Sequence, residues 1–184
     1  REMKIETAGG INAVKVYSFN GKVNSASVNL GKAELAGDKI PCVWKEDQIV
    51  DKPVKIGGKD YRITLVNLGN PHCVVFSEKV DAVDVATVGP LFENCEYFPE
   101  RINAEFIRVV NKVTIKMRVW ERGNGETWSC GTGAAAAVVA AVLNGYCDRD
   151  TNITVKLRGG DLVVNYHSNG EVELMGSVKT VYEG

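Results

Sequence analysis

Apolar and polar residues alternate along most of this 184-residue chain, and a period of two marks strands that turn one face to a core. On that pattern strands are expected over Met3–Thr7, Asn12–Tyr17, Val23–Leu30, Lys59–Leu68, Ala104–Val110 and Val113–Trp120, with four shorter runs between Ile153 and Tyr182. The unbroken apolar run Cys73–Phe76 reads as a further strand. Gly9-Gly10, Asn20-Gly21, Gly57-Gly58, Gly159-Gly160 and Asn169-Gly170 supply turns between them. Only two segments read as helices. One lies around Val83–Asn94, shortened or kinked by Pro90. The other follows Cys130, runs through GTGAAAAVVAAVL and closes at Asn144-Gly145. This second helix is apolar on every side, so it requires burial all round, and a sheet wrapped around it would provide that.

Two distant stretches share a pattern. KIETAGGINAVKVYSFNGKVNSASVNLG (Lys4–Gly31) and TVKLRGGDLVVNYHSNGEVELMG (Thr154–Gly176) both read strand, Gly-Gly, strand, Asn-Gly, strand, Gly. An internal duplication accounts for this, as does a chance pair of hairpins in a strand-rich chain. Under duplication, the equivalent of the Cys130 helix for the first copy would fall before Arg1. A fragment of a two-domain protein is therefore expected, the remnant first domain covering 1–30, a complete domain 31–176, and a returning strand 177–184.

Composition narrows the chemistry. Lysine and arginine number 22 against 23 acidic residues, a net charge of -1, which gives no footprint for nucleic acid or an anionic membrane surface. The longest apolar run, Ala134–Leu143, is about half of the roughly 20 residues a membrane helix needs. A cytoplasmic protein is expected. The five cysteines (Cys42, Cys73, Cys95, Cys130, Cys147) include no CxxC pair, and two histidines form no zinc-like spacing, so neither a disulfide framework nor a metal site is expected. Cys42, Cys95 and Cys147 read as small buried hydrophobes. Cys73 follows His72 on a strand, where neighbours point to opposite faces, and reads as core.

Cys130 is different. It stands at a helix start, between Gly123/Gly125 and Gly131/Gly133. Unpaired N–H groups and the positive end of the helix dipole favour a thiolate there, and also a docked carboxylate. Such a position can bring a thiol pKa from about 8.5 into the range of about 3.5 to 7.5. The glycines would let a ligand approach the backbone closely.

Three ordered motifs, GNPHCVVF (Gly69–Phe76), FPERINAEF (Phe98–Phe106) and ERGNGETWSCGTGAAAA (Glu121–Ala137), resemble those of the diaminopimelate epimerase family. The resemblance implies an α+β fold of two similar domains, each a sheet or barrel curled around a central buried helix, with substrate in the cleft between. It implies a cofactor-independent isomerase of lysine and peptidoglycan-precursor synthesis that interconverts LL- and meso-diaminopimelate with two cysteines on opposite faces of the α-carbon. Inverting a stereocentre needs loss and gain of a proton on opposite faces, which is why two groups are required.

Carried over residue by residue, Cys130 resembles the catalytic cysteine of the second domain. Asn70 and Asn103 match amides that hold substrate, Arg122 a guanidinium on the distal carboxylate, and Gly131 and Thr132 donors to the α-carboxylate. Glu121 matches a ligand for the distal ammonium or a group tuning the thiols, and His72 a histidine modulating thiol ionisation. The first-domain cysteine has no counterpart in the chain. The resemblance leaves a homodimer or an association with the missing segment as the expected assembly. Two other readings stay open: a related cysteine racemase acting on proline or hydroxyproline, and a non-catalytic binding module.

Overall fold

A computed structural model describes residues 1–7 and 10–179. In chain order it contains β1 (Glu2–Thr7), β2 (Gly10–Phe19), β3 (Lys22–Lys32), β4 (Lys52–Ile56), β5 (Lys59–Asn67), β6 (Pro71–Phe76), α1 (Val85–Glu93), β7 (Asn103–Asn111), β8 (Thr114–Glu121), β9 (Gly125–Thr127), α2 (Gly131–Leu143), β10 (Asn152–Leu157), β11 (Gly160–Tyr166) and β12 (Glu171–Ser177). One continuous sheet orders them β1-β2-β3-β12-β11-β10-β8-β7-β6-β5-β4, and β9 pairs with the free end of β8. The expected α+β class is what is found.

All neighbouring pairs are antiparallel except two, β6 with β7 and β10 with β8. Parallel neighbours need a crossover connection, and the two helices are those crossovers: α1 joins β6 to β7, and α2 lies between β8 and β10. They cover opposite faces of the sheet. Val66, Val74, Ile107 and Met117 pack toward α2, whereas Leu65, Cys73, Val75 and Phe106 pack toward α1. Because β5–β7 are buried on both faces, Cys73–Phe76 needs no polar alternation. Cys73 is fully buried, as its place in that run requires.

Every residue from Ala134 to Ala141 in α2 has no exposed surface. β5–β8 and β10–β12 surround it, and its alanines keep the helix thin enough for strands to close in on all sides. Asn144 caps the last turn, with its N–H bonded to Ala140 and Val142 carbonyls, and Gly145 takes a φ of +77°. The shorter α1 is started by Asp84, whose side chain accepts from the Thr87 N–H at 3.2 Å and the Thr87 hydroxyl at 2.7 Å. Pro90 sits within it without ending it.

The first three strands and the last three are mirrored in the sheet order about the antiparallel pair β3–β12, the arrangement expected if one meander duplicates the other. The hairpin at Asn20-Gly21 forms as read, both residues at positive φ. The Gly9 turn and the strand expected beyond Lys179 lie outside the described residues. Two strands were not legible in the sequence, β4 and β9, both short and at the margins of the sheet.

Candidate active site

Register brings the site together. His72 at the start of β6 pairs with Asn103 at the start of β7, and Ala104 next to it pairs with Trp120 near the end of β8. Parallel β6 and β7 thus begin at the edge where antiparallel β8 ends, and α2 begins there too. Asn70, His72, Asn103, Glu121, Arg122, Cys130, Gly131 and Thr132 all belong to that edge or to the turns above it.

Cys130 is the N-cap of α2: its backbone is extended (φ -140°, ψ 112°) and its Sγ accepts the Gly133 N–H at 3.3 Å. The Thr132 hydroxyl lies 3.8 Å from the same sulfur and accepts from the Asn70 amide at 3.2 Å. The Asn70 oxygen meets His72 Nε2 at 2.9 Å, and His72 Nδ1 meets Glu105 Oε1 at 2.7 Å. A hydrogen-bonded row therefore runs from the helix start to a buried carboxylate. The Asn70 oxygen can only accept, so His72 Nε2 carries a proton; the 2.7 Å contact at Nδ1 needs a second proton, on the ring or on Glu105. Both ring nitrogens are engaged, and His72 has no exposed surface. Its geometry holds Asn70 in place.

The helix start does not lower the Cys130 thiol. Burial pushes it up, the Glu105 carboxylate adds to this and Glu121 acts in the same direction, while the Gly133 N–H and Thr132 oppose; the result is a pKa raised to about 11. The expectation from the helix dipole fails because Cys130 is only 9% exposed and its thiol feels two acids. A thiol in this setting is a proton donor at neutral pH.

The glycines also act otherwise than expected. A Cβ on Gly133 would lie 2.9 Å from Glu105 Oε1 and 3.1 Å from Cys130 Sγ, and one on Gly131 would lie 2.9 Å from Leu174 of β12. Space above them is taken by the protein's own side chains rather than kept for a ligand. Gly123 and Gly125 do make the turn after β8, at φ +81° and +86°. That leaves the backbone N–H groups of Gly131 and Thr132, which begin the helix and have no intrahelical acceptor, as donors to an anion.

Asn103 joins elements: its amide donates to the Pro71 carbonyl at 2.8 Å and its oxygen accepts the Arg122 N–H at 2.9 Å. The Arg122 guanidinium donates to the Glu100 carbonyl at 3.0 Å. Glu121 accepts from Thr127 across the β8–β9 turn.

Glu105 escaped the sequence reading. It has no exposed surface, its second oxygen has no hydrogen-bond partner, and burial pushes its pKa up, with Glu121 adding to this and His72 opposing. A signal existed: alternation along AEFIRVV puts Glu105 on the same face as Ile107, toward α2, where a carboxylate is costly unless used.

A family model described as diaminopimelate epimerase matches residues 64–181. The chain is 43% identical over 182 residues to the diaminopimelate epimerase of Pelotomaculum thermopropionicum, covering 99% of this chain and 64% of that protein. It is 42% identical over 181 residues to that of Bacillus licheniformis, covering 98% and 64%. The chain thus spans just under two thirds of the length of these curated relatives. Among solved structures it is similar to a hydroxyproline epimerase from Agrobacterium vitis (TM-score 0.69, 12% identity, 96% of this chain and 56% of that one). A probable proline racemase from Agrobacterium radiobacter gives a TM-score of 0.68 at 10% identity, over 100% of this chain and 61% of that one. At those identities the likeness is one of fold.

Proposed function

The chain belongs to the diaminopimelate epimerase family, and from that premise we propose that it supplies one of the two proton-transfer thiols of a cofactor-independent epimerase acting on diaminopimelate in the cytoplasm. The observation that carries the proposal is Cys130, a thiol that caps the central helix and accepts the Gly133 N–H at 3.3 Å. In one direction of the reaction Cys130 delivers its proton to the α-carbon as a thiolate on the other face removes one; in the reverse direction it is the acceptor. The developing carbanion has no conjugated ring to spread its charge, so fixed donors must stabilise it: the Gly131 and Thr132 N–H groups on the α-carboxylate, at the positive end of α2.

Asn70 and Asn103 orient the substrate's polar groups, Arg122 takes the distal carboxylate with its forked donors, and Glu121 takes the distal ammonium. His72 acts through Asn70. The second thiol comes from the share of the relatives' length that this chain does not span. Support for that division comes from β1–β3, which stand outside the ring of strands around α2, and from Ile5, Val14, Val28, Leu30, Leu174 and Val178, which line an open apolar groove. We assign this face (residues 1–30 with 177–184) to the sheet of the other domain, and residues 31–176 to the domain built on α2.

The test is stereochemical. Full-length protein incubated with LL-diaminopimelate should yield the meso form by chiral chromatography, with or without chelator and carbonyl reagents. Failure to interconvert diaminopimelate, or turnover of proline or hydroxyproline in its place, would refute the reading.

A further inference from the structure

We propose that Glu93, at the end of α1, is a positioning residue that fixes the Glu121–Arg122 turn for substrate. The inference rests on the reading that these two residues grip the distal end of the substrate.

One carboxylate holds both sides of the pair. Glu93 Oε2 accepts from the Trp120 indole N–H at 2.6 Å, and Oε1 accepts from the Gly123 backbone N–H at 2.8 Å. Trp120 precedes Glu121 and Gly123 follows Arg122, so the functional pair is clamped between two hydrogen bonds to a single group. A third donor, Arg101 Nη1, reaches Oε1 at 2.9 Å. Glu93 is only 6% exposed. Burial by itself would raise its pKa, but the bonds from Trp120, Gly123 and Arg101 together prevail and hold it below the ordinary carboxylate range.

Local geometry is arranged around this contact. One turn earlier on α1, a Cβ on Gly89 would lie 2.4 Å from the Trp120 ring; the missing side chain lets the indole seat against the helix. Arg101 takes a left-handed backbone (φ +61°), unusual for a branched-free long side chain, within the turn that brings its guanidinium over Glu93. On the opposite side the Arg122 N–H is tied to Asn103. The turn is thus held from α1 and from β7 at once. An anion can accept from all three donors. A glutamine of equal length has one oxygen and would set its N–H against the third.

The experiment replaces Glu93 in the full-length protein, with two readouts. Glu93→Gln should raise KM for diaminopimelate about tenfold and lower kcat less than threefold, because Cys130 is held by separate contacts on α2. Glu93→Asp, which keeps the charge, should give an intermediate KM. In parallel, the Trp120 indole N–H resonance should move upfield in Glu93→Gln as its charge-assisted bond is lost.

An unchanged KM in folded Glu93→Gln, or equal loss of activity through kcat alone, would overturn the proposal. If the glutamine variant does not fold, the wild-type indole resonance decides: it should hold its downfield position on acidification to pH 4.5, the ordinary carboxylate value, and its loss above that pH would contradict the clamp. The resonance needs no turnover, so failure of the wild-type protein to act on diaminopimelate would refute the functional reading and leave the clamp to be judged by the indole.

Discussion

Cys130 and Glu105 are coupled through space rather than by a bond, and the coupling has a measurable consequence. With its pKa raised to about 11, Cys130 should be almost entirely protonated at pH 7, and its alkylation rate should climb about tenfold per pH unit until that value is approached. Cys95, which is partly exposed, should therefore react before Cys130 at neutral pH, the reverse of what the helix start alone implies. Peptide mass spectrometry after limiting iodoacetamide distinguishes the two orders. Replacing Glu105 by Gln removes a charge that raises the Cys130 pKa, so the alkylation midpoint should fall by about one pH unit. A midpoint that stays or rises would show that burial alone sets it. Cys130 is legible in the sequence because it stands at a helix start between glycine clusters and within the third of three ordered family motifs. The direction of its pKa is not, since that depends on Glu105, a residue 25 positions away in the chain that only β7–α2 packing brings to the sulfur.

The helices differ in what they tolerate. In α2, Ala137→Leu adds volume where no surface is exposed, and should cost about 1–3 kcal/mol of stability, measured by denaturant unfolding. Asp84→Ala removes the cap of α1 and should cost about 1 kcal/mol. A destabilisation of similar size at exposed Leu91 would show that the packing argument is wrong. The sequence shows α2 as a run of small apolar residues, whereas the Asp84 cap of α1 emerges only in the structure, and Pro90, expected to shorten or kink that helix, sits inside it. β4 was not legible, because in KPVKI only Val54 and Ile56 face the core and Pro53 argues against a strand. An edge position is where such a proline is tolerated, and β4 is the edge. The long strands β5, β7 and β8 are legible nearly to their ends because β8 alternates along its length, and β5 and β7, though buried on both faces near α2, keep polar residues at their outer ends. The buried β6 was read only from Cys73, because Pro71-His72 resembles a turn.

For the whole molecule, the open face formed by β1–β3 and β12 sets the behaviour of this chain in isolation. Met3, Ile5, Phe19 and Val23 are each more than 40% exposed, and apolar strand surface of that kind pairs with another chain. Light scattering after size-exclusion chromatography should find the isolated chain self-associated; a monomer at all concentrations would contradict this. Deuterium incorporation reports whether Cys130 transfers a proton at the substrate α-carbon. Full-length protein and its Cys130→Ala variant are incubated with LL-diaminopimelate in D2O and the α-position is followed by mass spectrometry. Wild type should acquire deuterium as the meso form appears, and the variant should lose epimerisation by roughly 100-fold or more. Undiminished epimerisation by the variant, or meso product without solvent deuterium, would contradict the account.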